Sequence, residues 1–397
     1  MSVRNLPSGK QRSNIGRLLA VLSAAALVAG CSSSASSGAS SGSGGSSTVQ
    51  IGIITDTTGI IAAAGKQFLD GVLTAQTMIN QNHTLGSTTI DIVQKQGAAD
   101  PATSATVASQ LAADQSVLAT ICCILTPVVG ALKPIATNAK MPIVIYGATD
   151  TGLPDPPYVF QTNPLPELGE TQFSDITAKA DNIKTYAINV QTDNSGIVAQ
   201  GNSYVQGMTQ AGAKNLGQVG TTATTTDFNS PASALVAKNP QAIVIAATQT
   251  AALNMIAAIH NLGYKGVILG GNDMLGTGVY QSNPAAFGPV LFPVDYLPSD
   301  TNALGRQFSA AYDKQFGSQP QTYAAEGFTA LYTIAQALKQ VKGTPTRASL
   351  TTAMNAMKTL SDTIYGPVTF QNGGLVKSDP TLIVHYASDG SVVEVKP

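Results

Sequence analysis

Short apolar runs and apolar positions at helical spacing alternate along most of this chain. Val49–Ile54 is a β-like run, and Thr55–Gly59 after it is a polar turn. Phe68, Val72, Ala75 and Ile79 then fall on one helical face. Thr89–Gln94 reads as a strand. Asp100 and Pro101 read as the N-cap and first residue of a helix that buries Ala105, Ala108 and Leu111. Val117–Ile121 predicts a strand, Val128–Ala136 a helix and Ile143–Tyr146 a strand. This alternation predicts βαβ units and a parallel sheet covered on both faces.

A Pro-rich stretch, Pro154–Pro166, interrupts the rhythm, and within it Tyr158–Gln161 reads as a strand leaving the first domain. The rhythm then restarts. Strands are predicted at Thr185–Val190, Gly217–Thr221, Ala242–Ala246 and Val267–Leu269, with helices at Gly196–Ala211, Pro231–Lys238 and Ala251–Leu262 between them. The βα pattern thus occurs twice, as two similar lobes require. From Asn302 the pattern is helical, at Leu304–Phe316, Tyr323–Val341 and Leu350–Leu360. The end is β-like, at Pro367–Phe370, Leu382–Tyr386 and Val392–Val395. A helical block added to one lobe and a β-ribbon added to the other imply several crossings, hence a hinge between two rigid bodies.

The amino terminus follows a different pattern. Arg4, Lys10, Arg12 and Arg17 precede an apolar stretch, Leu18–Ala29, and then Gly30 and Cys31. A basic start, a short apolar core and small residues describe a secretory signal. The stretch is shorter than the ~20 residues a bilayer span requires. Ser32–Ser47 is almost wholly Ser, Gly and Ala, the composition of a flexible linker. What remains is a body long enough for two domains of ~150–200 residues.

Hydrophobic residues are 43% of the chain but charged residues only 11%, so Ser, Thr, Asn and Gln supply much of the surface. The formal net charge is -1 and the body has no basic run, which argues against nucleic acid binding. His83, His260 and His385 are far apart and have no metal-ligand spacing. There is no G-x-S-x-G, no P-loop and no H-E-x-x-H. An enzyme is therefore not expected, and neither a metal nor a cofactor is implied. Besides Cys31, only the adjacent Cys122 and Cys123 are present. Neighbouring cysteines rarely bond to each other, so these two are expected as free, small hydrophobes at the end of a strand.

Parallel sheets bind ligands beyond the carboxyl ends of their strands. That rule selects the loops 55–65, 122–127, 146–150, 191–196 and 270–275. Thr126 followed by Pro127 reads as N-cap and first helical residue. The amides of Val128 and Val129 with the helix dipole, and the Thr126 hydroxyl, then favour a carboxylate; a plain capping Thr is the alternative. Thr149 is a hydroxyl at another strand end. Asn272 and Asp273 offer an amide and a carboxylate for a ligand ammonium, or form an Asx turn.

These stretches resemble the leucine/isoleucine/valine-binding proteins, the type I solute-binding proteins of ABC importers. The resemblance rests on Ile51-Gly52-Ile53 with Thr58-Gly59 and Gly65, Asp100-Pro101-Ala102-Thr103, and Met141-Pro142-Ile143 with Ala148-Thr149. It continues through Pro157–Thr162, Tyr323–Phe328 and Tyr365–Phe370. The preceding small-small-Cys31 is similar to a bacterial lipobox, whose Cys is lipidated. The resemblance implies an α/β fold of two Rossmann-like lobes with parallel sheets and three crossings. It sets the signal peptide at 1–30, lipidated Cys31 and linker at 31–48, an N-terminal lobe at 49–163 plus 293–363, and a C-terminal lobe at 164–292 plus 364–397.

The same resemblance places the ligand's carboxylate at Thr126 and Val128, and its ammonium at Thr149 with the backbone of Gly147 and Ala148. Ser195 stands where an aromatic lid is common, Asn272 where an acidic ammonium partner is common, and Ala64 where some members carry a large side chain. The implied protein is a monomeric, membrane-anchored extracytoplasmic lipoprotein. It captures a small amino acid, branched-chain or other neutral, or a related carboxylate or amide, by lobe closure. It hands that ligand to separate ABC permease subunits; a ligand sensor on the same fold is the alternative.

Overall fold

The computed structural model describes residues 47–148, 150, 152–275, 279–288, 290–299, 302–377 and 381–396. The expected signal, Cys31 with its linker, and Thr149 lie outside the described residues.

Two sheets organise the chain. The first has eight strands in the order Thr359–Leu360, Val368–Gln371, Gly374–Lys377, Val159–Pro164, Ile143–Ile145, Val117–Ile121, Thr48–Thr55 and Thr89–Gln96. Pairing from Thr89–Gln96 across to Gly374–Lys377 is parallel throughout. Every residue of Val117–Ile121, Ile143–Ile145 and Val159–Pro164 is buried, as helices on both faces of a parallel sheet demand.

The second sheet has seven strands in the order Val392–Glu394, Leu382–Tyr386, Val290–Val294, Val267–Leu269, Ala242–Ala246, Thr185–Gln191 and Lys214–Thr221. The last five pair in parallel, and the two C-terminal strands add an antiparallel edge. Each lobe thus has the α/β architecture that the alternating pattern predicts.

Three differences concern where elements lie. Val290–Val294 is a strand of the second sheet, a two-residue extension beyond the expected lobe boundary. Pro166–Ala180, inside and beyond the Pro-rich interruption, is a helix with Pro166 in its first turn. Val368–Gln371 and Gly374–Lys377 pair within the first sheet, whereas residues 364–397 were all expected in the C-terminal lobe. Val368 and Leu375 are buried in the first lobe's core, which fixes that ribbon there. The chain crosses between lobes after Pro164, after Val294 and between Lys377 and Thr381.

The closest helix packing in the first lobe involves a glycine on each side. A Cβ at Gly71, on helix Ala62–Gln81, would meet the Ala324 carbonyl oxygen at 2.0 Å. One at Gly327, on helix Thr322–Leu338, would meet the Phe68 oxygen at 2.2 Å. The helix backbones touch there, and only glycine fits. Around this contact pack Phe68, Val72, Phe308, Phe328 and Leu331, all buried. This pins the late helical block to the first lobe.

Gly71→Ala is expected to force the two helices apart and to destabilise the protein by roughly 1–3 kcal/mol, the range for overpacking. Chemical denaturation of the variant checks this; an unchanged midpoint would refute the contact.

Candidate functional site

The carboxyl ends of the central strands in both sheets carry the loops that strand order selects. In the first lobe, Gly147 follows Tyr146 with φ +65°. A Cβ there would lie 2.9 Å from Ile124 Cγ1 and 3.3 Å from Glu326 Oε2. Gly147 therefore joins the loop after Val117–Ile121 to a buried carboxyl on helix Thr322–Leu338. Ala148 is fully buried, and its carbonyl accepts from Gln161 Nε2 at 3.0 Å. Ala64 is half-buried in the first turn of helix Ala62–Gln81.

Thr126 is placed differently from expectation. It is the first residue of helix Thr126–Ala139, Leu125 is the N-cap, and no side-chain cap bond forms. The amides of Val128 and Val129 donate to the Leu125 carbonyl at 3.0 and 3.3 Å. The helix begins one residue early, so these two amides are engaged within it. The half-buried Thr126 keeps its hydroxyl and sits one step from the expected geometry.

Cys122 and Cys123 form a disulfide with each other, against the expectation of two free thiols. The bond links consecutive residues whose Cα atoms lie 3.3 Å apart. Both residues are completely buried, directly before the loop that leads to Thr126.

In the second lobe, Ser195 is an exposed first residue of helix Ser195–Gln210. Asn194 caps that helix, accepting from the amides of Gly196 and Ile197 at 3.0 and 3.4 Å. Asn272 and Asp273 lie in the turn Asn272–Met274, both half-buried. The Asp273 carbonyl accepts from Gln249 Nε2 at 2.5 Å, while its Oδ1 is buried without a partner. Burial pushes the Asp273 carboxyl up to about 7.

Several residues here were not singled out in the sequence. Glu326 is 2% exposed and its carboxyl is held well above the usual range, first by burial and then by Asp295. Glu170 accepts from Gln200 Nε2 at 2.8 Å, and burial pushes it up to about 8 against that bond. Asp295 is raised by burial, with Lys377 opposing, its Nζ 3.8 Å from the carboxylate. Burial holds the Tyr323 hydroxyl well above its usual range, and the charges of Asp273 and Glu326 add to the rise. The one legible clue was Glu326, a charge within the apolar run Ala324–Phe328 of a charge-poor chain.

The common feature of this set is its unsatisfied chemistry. Gln161 Oε1, Asn163 Oδ1, Glu170 Oε2, Gln200 Oε1, Asp273 Oδ1 and Glu326 Oε2 are all buried without a hydrogen-bond partner. Three are amide oxygens and three belong to carboxyls held above their usual range, and buried polar atoms are nearly always paired. Among the described residues there is no cluster of His, Cys, Asp or Glu able to hold a metal ion.

A sequence profile for the family described as periplasmic binding protein matches residues 48–390. No curated protein matches the chain in sequence. Among solved structures it is similar to a leucine binding protein from Thermotoga maritima, at 21% identity and TM-score 0.78, over 88% of this chain and 98% of that one. A branched-chain amino acid transporter substrate binding protein from Streptococcus pneumoniae, in complex with isoleucine, matches at 20% identity and TM-score 0.78, over 88% and 100%. A solute binding protein of an ABC transporter from Rhodopseudomonas palustris, in complex with 3,4-dihydroxy benzoic acid, matches at 22% identity and TM-score 0.75, over 88% and 96%.

The raised Glu170 carboxyl sets a pH dependence. Its ordinary value is 4.5 and its folded value about 8, so between these the folded chain holds a proton that the unfolded chain has released. Its contribution to stability is full below 4.5 and is lost as pH rises towards about 8. Melting temperature is therefore expected to fall across this range, and Glu170→Gln to flatten the fall, as calorimetry at a series of pH values will show.

Proposed function

Since the chain belongs to the periplasmic binding protein family, we propose that it is the extracytoplasmic solute-binding subunit of an ABC importer. The ligand is a small amino acid, branched-chain or other neutral, or a related carboxylate or amide. It enters between the lobes, and contacts from both sides favour the closed arrangement by differential affinity. Separate permease subunits receive it.

The observation that carries this reading is that both lobes bury polar oxygens without partners, those of Gln161 and Glu326 in the first and those of Glu170, Gln200 and Asp273 in the second. Both ends of such a ligand have a place. Thr126 at a helix start supplies a hydroxyl and the positive end of the helix dipole for a carboxylate. Gly147, Ala148, Asn272 and Asp273 on strand-end loops, with Ala64 and Ser195 in the first turns of their helices, are the remaining candidates, and Thr149 is kept as the expected partner of the ligand's ammonium. The isoleucine of the Streptococcus pneumoniae complex fits this expectation. The chain itself is a monomer tethered by lipidated Cys31, and the Ser/Gly linker keeps the binding lobes near the membrane at high local concentration.

A thermal-shift screen of amino acids, amides and organic acids tests the ligand class, with small amino acids expected to raise the melting temperature most. Thr126→Ala is expected to weaken the best of them by about tenfold, the loss of one hydrogen bond to a charged group; unchanged affinity would remove Thr126 from the site. Cys31→Ser is expected to move the protein from the membrane to the soluble fraction, as fractionation of expressing cells will report.

A further inference from the structure

The disulfide between Cys122 and Cys123 stands between the first sheet and the loop that leads to Thr126. Cys122 directly follows strand Val117–Ile121, and its amide donates to the Val144 carbonyl at 3.0 Å. Both cysteines are completely buried, in one cluster with Val128 and Val129 of helix Thr126–Ala139 and with Ile145 and Ala148. Only Ile124 and Leu125 separate Cys123 from Thr126.

Ile124 carries this position to the neighbouring loop. A Cβ on Gly147 would lie 2.9 Å from Ile124 Cγ1 and 3.4 Å from Ile124 Cβ, so Ile124 packs on the Gly147 backbone. Ala148 follows, fully buried, its amide donating to the Tyr146 carbonyl at 2.7 Å. Two loops of the first lobe that hold candidate ligand contacts therefore meet at Ile124, one residue beyond the disulfide.

A bond between neighbouring residues closes a small ring through their backbone and holds both in one arrangement. Reduction opens the ring and leaves two thiols. Their sulfurs then keep to non-bonded separations, about 3.5–4 Å for heavy atoms. An interior packed like an organic crystal leaves little room for that. Val128 and Val129 are fixed in a helix and Ile145 in a strand. Ile124 and Leu125 are half-buried loop residues, so the displacement falls on them.

We propose that this disulfide is a redox-sensitive pin on the ligand loop. Closed, it holds residues 124–126 in the arrangement that binds the solute; reduced, it lets them shift and weakens binding. This rests on the solute-binding reading above and adds regulation of that same site. The cleaving reagent is a dithiol. Its thiolate attacks one cysteine sulfur, the S–S bond breaks and a mixed disulfide forms. Its second thiolate attacks that mixed disulfide, and the reagent departs as a disulfide. The protein gains two electrons and two protons, and the dithiol loses the same.

Burial of both sulfurs makes the attack wait for the loop to open. A bound solute holds the loop in place and so protects the bond. The two effects are reciprocal. If reduction weakens the solute about tenfold, the solute makes the bond about tenfold harder to reduce, which is about 30 mV for two electrons.

Protein purified from the cell envelope, alkylated on lysis and compared before and after dithiothreitol, tests this. Mass spectrometry of the peptide holding both cysteines is expected to show no alkylation before reduction and two groups after it. Hydrogen exchange is expected to quicken on reduction at residues 122–128 and 146–148, and this readout needs no ligand. Isothermal titration uses leucine and the compound of the screen that raises the melting temperature most. The tighter of the two is expected to bind about tenfold more weakly to the reduced protein, to recover on reoxidation, and to slow reduction when added first. Cys122→Ser combined with Cys123→Ser is expected to bind like the reduced protein; if that variant does not fold, the reduced unsubstituted protein decides.

Two alkylated thiols before reduction overturn the proposal. So does a reduced protein with affinity and exchange as in the oxidised one, since the bond is then a plain core contact. Both outcomes leave the solute-binding reading standing. Absence of binding by leucine and by every compound of the screen, in both redox forms, overturns both.

Discussion

Polar oxygens buried without partners in both lobes are the constraint on which this structure turns. A parallel sheet needs helices on both faces, and that leaves strand ends as the place where polar groups of several elements meet. Each lobe has buried polar groups without partners. Glu326 and Gln161 come from the first lobe; Glu170, Gln200 and Asp273 come from the second. Burial raises the carboxyls because no cation neutralises them. Under the proposed function, a ligand that touches both lobes favours the arrangement in which it does so.

Much of the fold was legible because it depends on periodicity. The alternation of short apolar runs with helical spacing located most strands of both sheets and the helices between them. What escaped depended on partners distant in sequence. Gly374–Lys377 is a four-residue strand whose place is fixed by pairing with Val159–Pro164, more than two hundred residues earlier. Glu170 lies on a helix the pattern did not predict, and Gln200 lies on a predicted one, where nothing local tells which face a neighbouring helix will cover. Thr126 was read as the cap because Thr favours that position, yet Leu125 takes it and the helix begins at Thr126 itself. The disulfide between Cys122 and Cys123 runs against the general rule for neighbours and had no local signal.

The remaining architecture serves the cleft in two ways. Gly71 and Gly327 let two helices touch, so the late helical block becomes part of the first lobe and delivers Glu326 beside Gly147. At the crossings, Lys377 reaches both the carbonyl and the carboxylate of Asp295. That pair joins two of the connecting segments and offsets one of the buried acids.

Native mass spectrometry of the protein purified from its own cells, without denaturant, tests the central claim most directly. One small molecule per chain, a neutral amino acid or a related carboxylate or amide, is the result expected. A chain that carries no such molecule and takes up none when amino acids, amides and organic acids are added would contradict it.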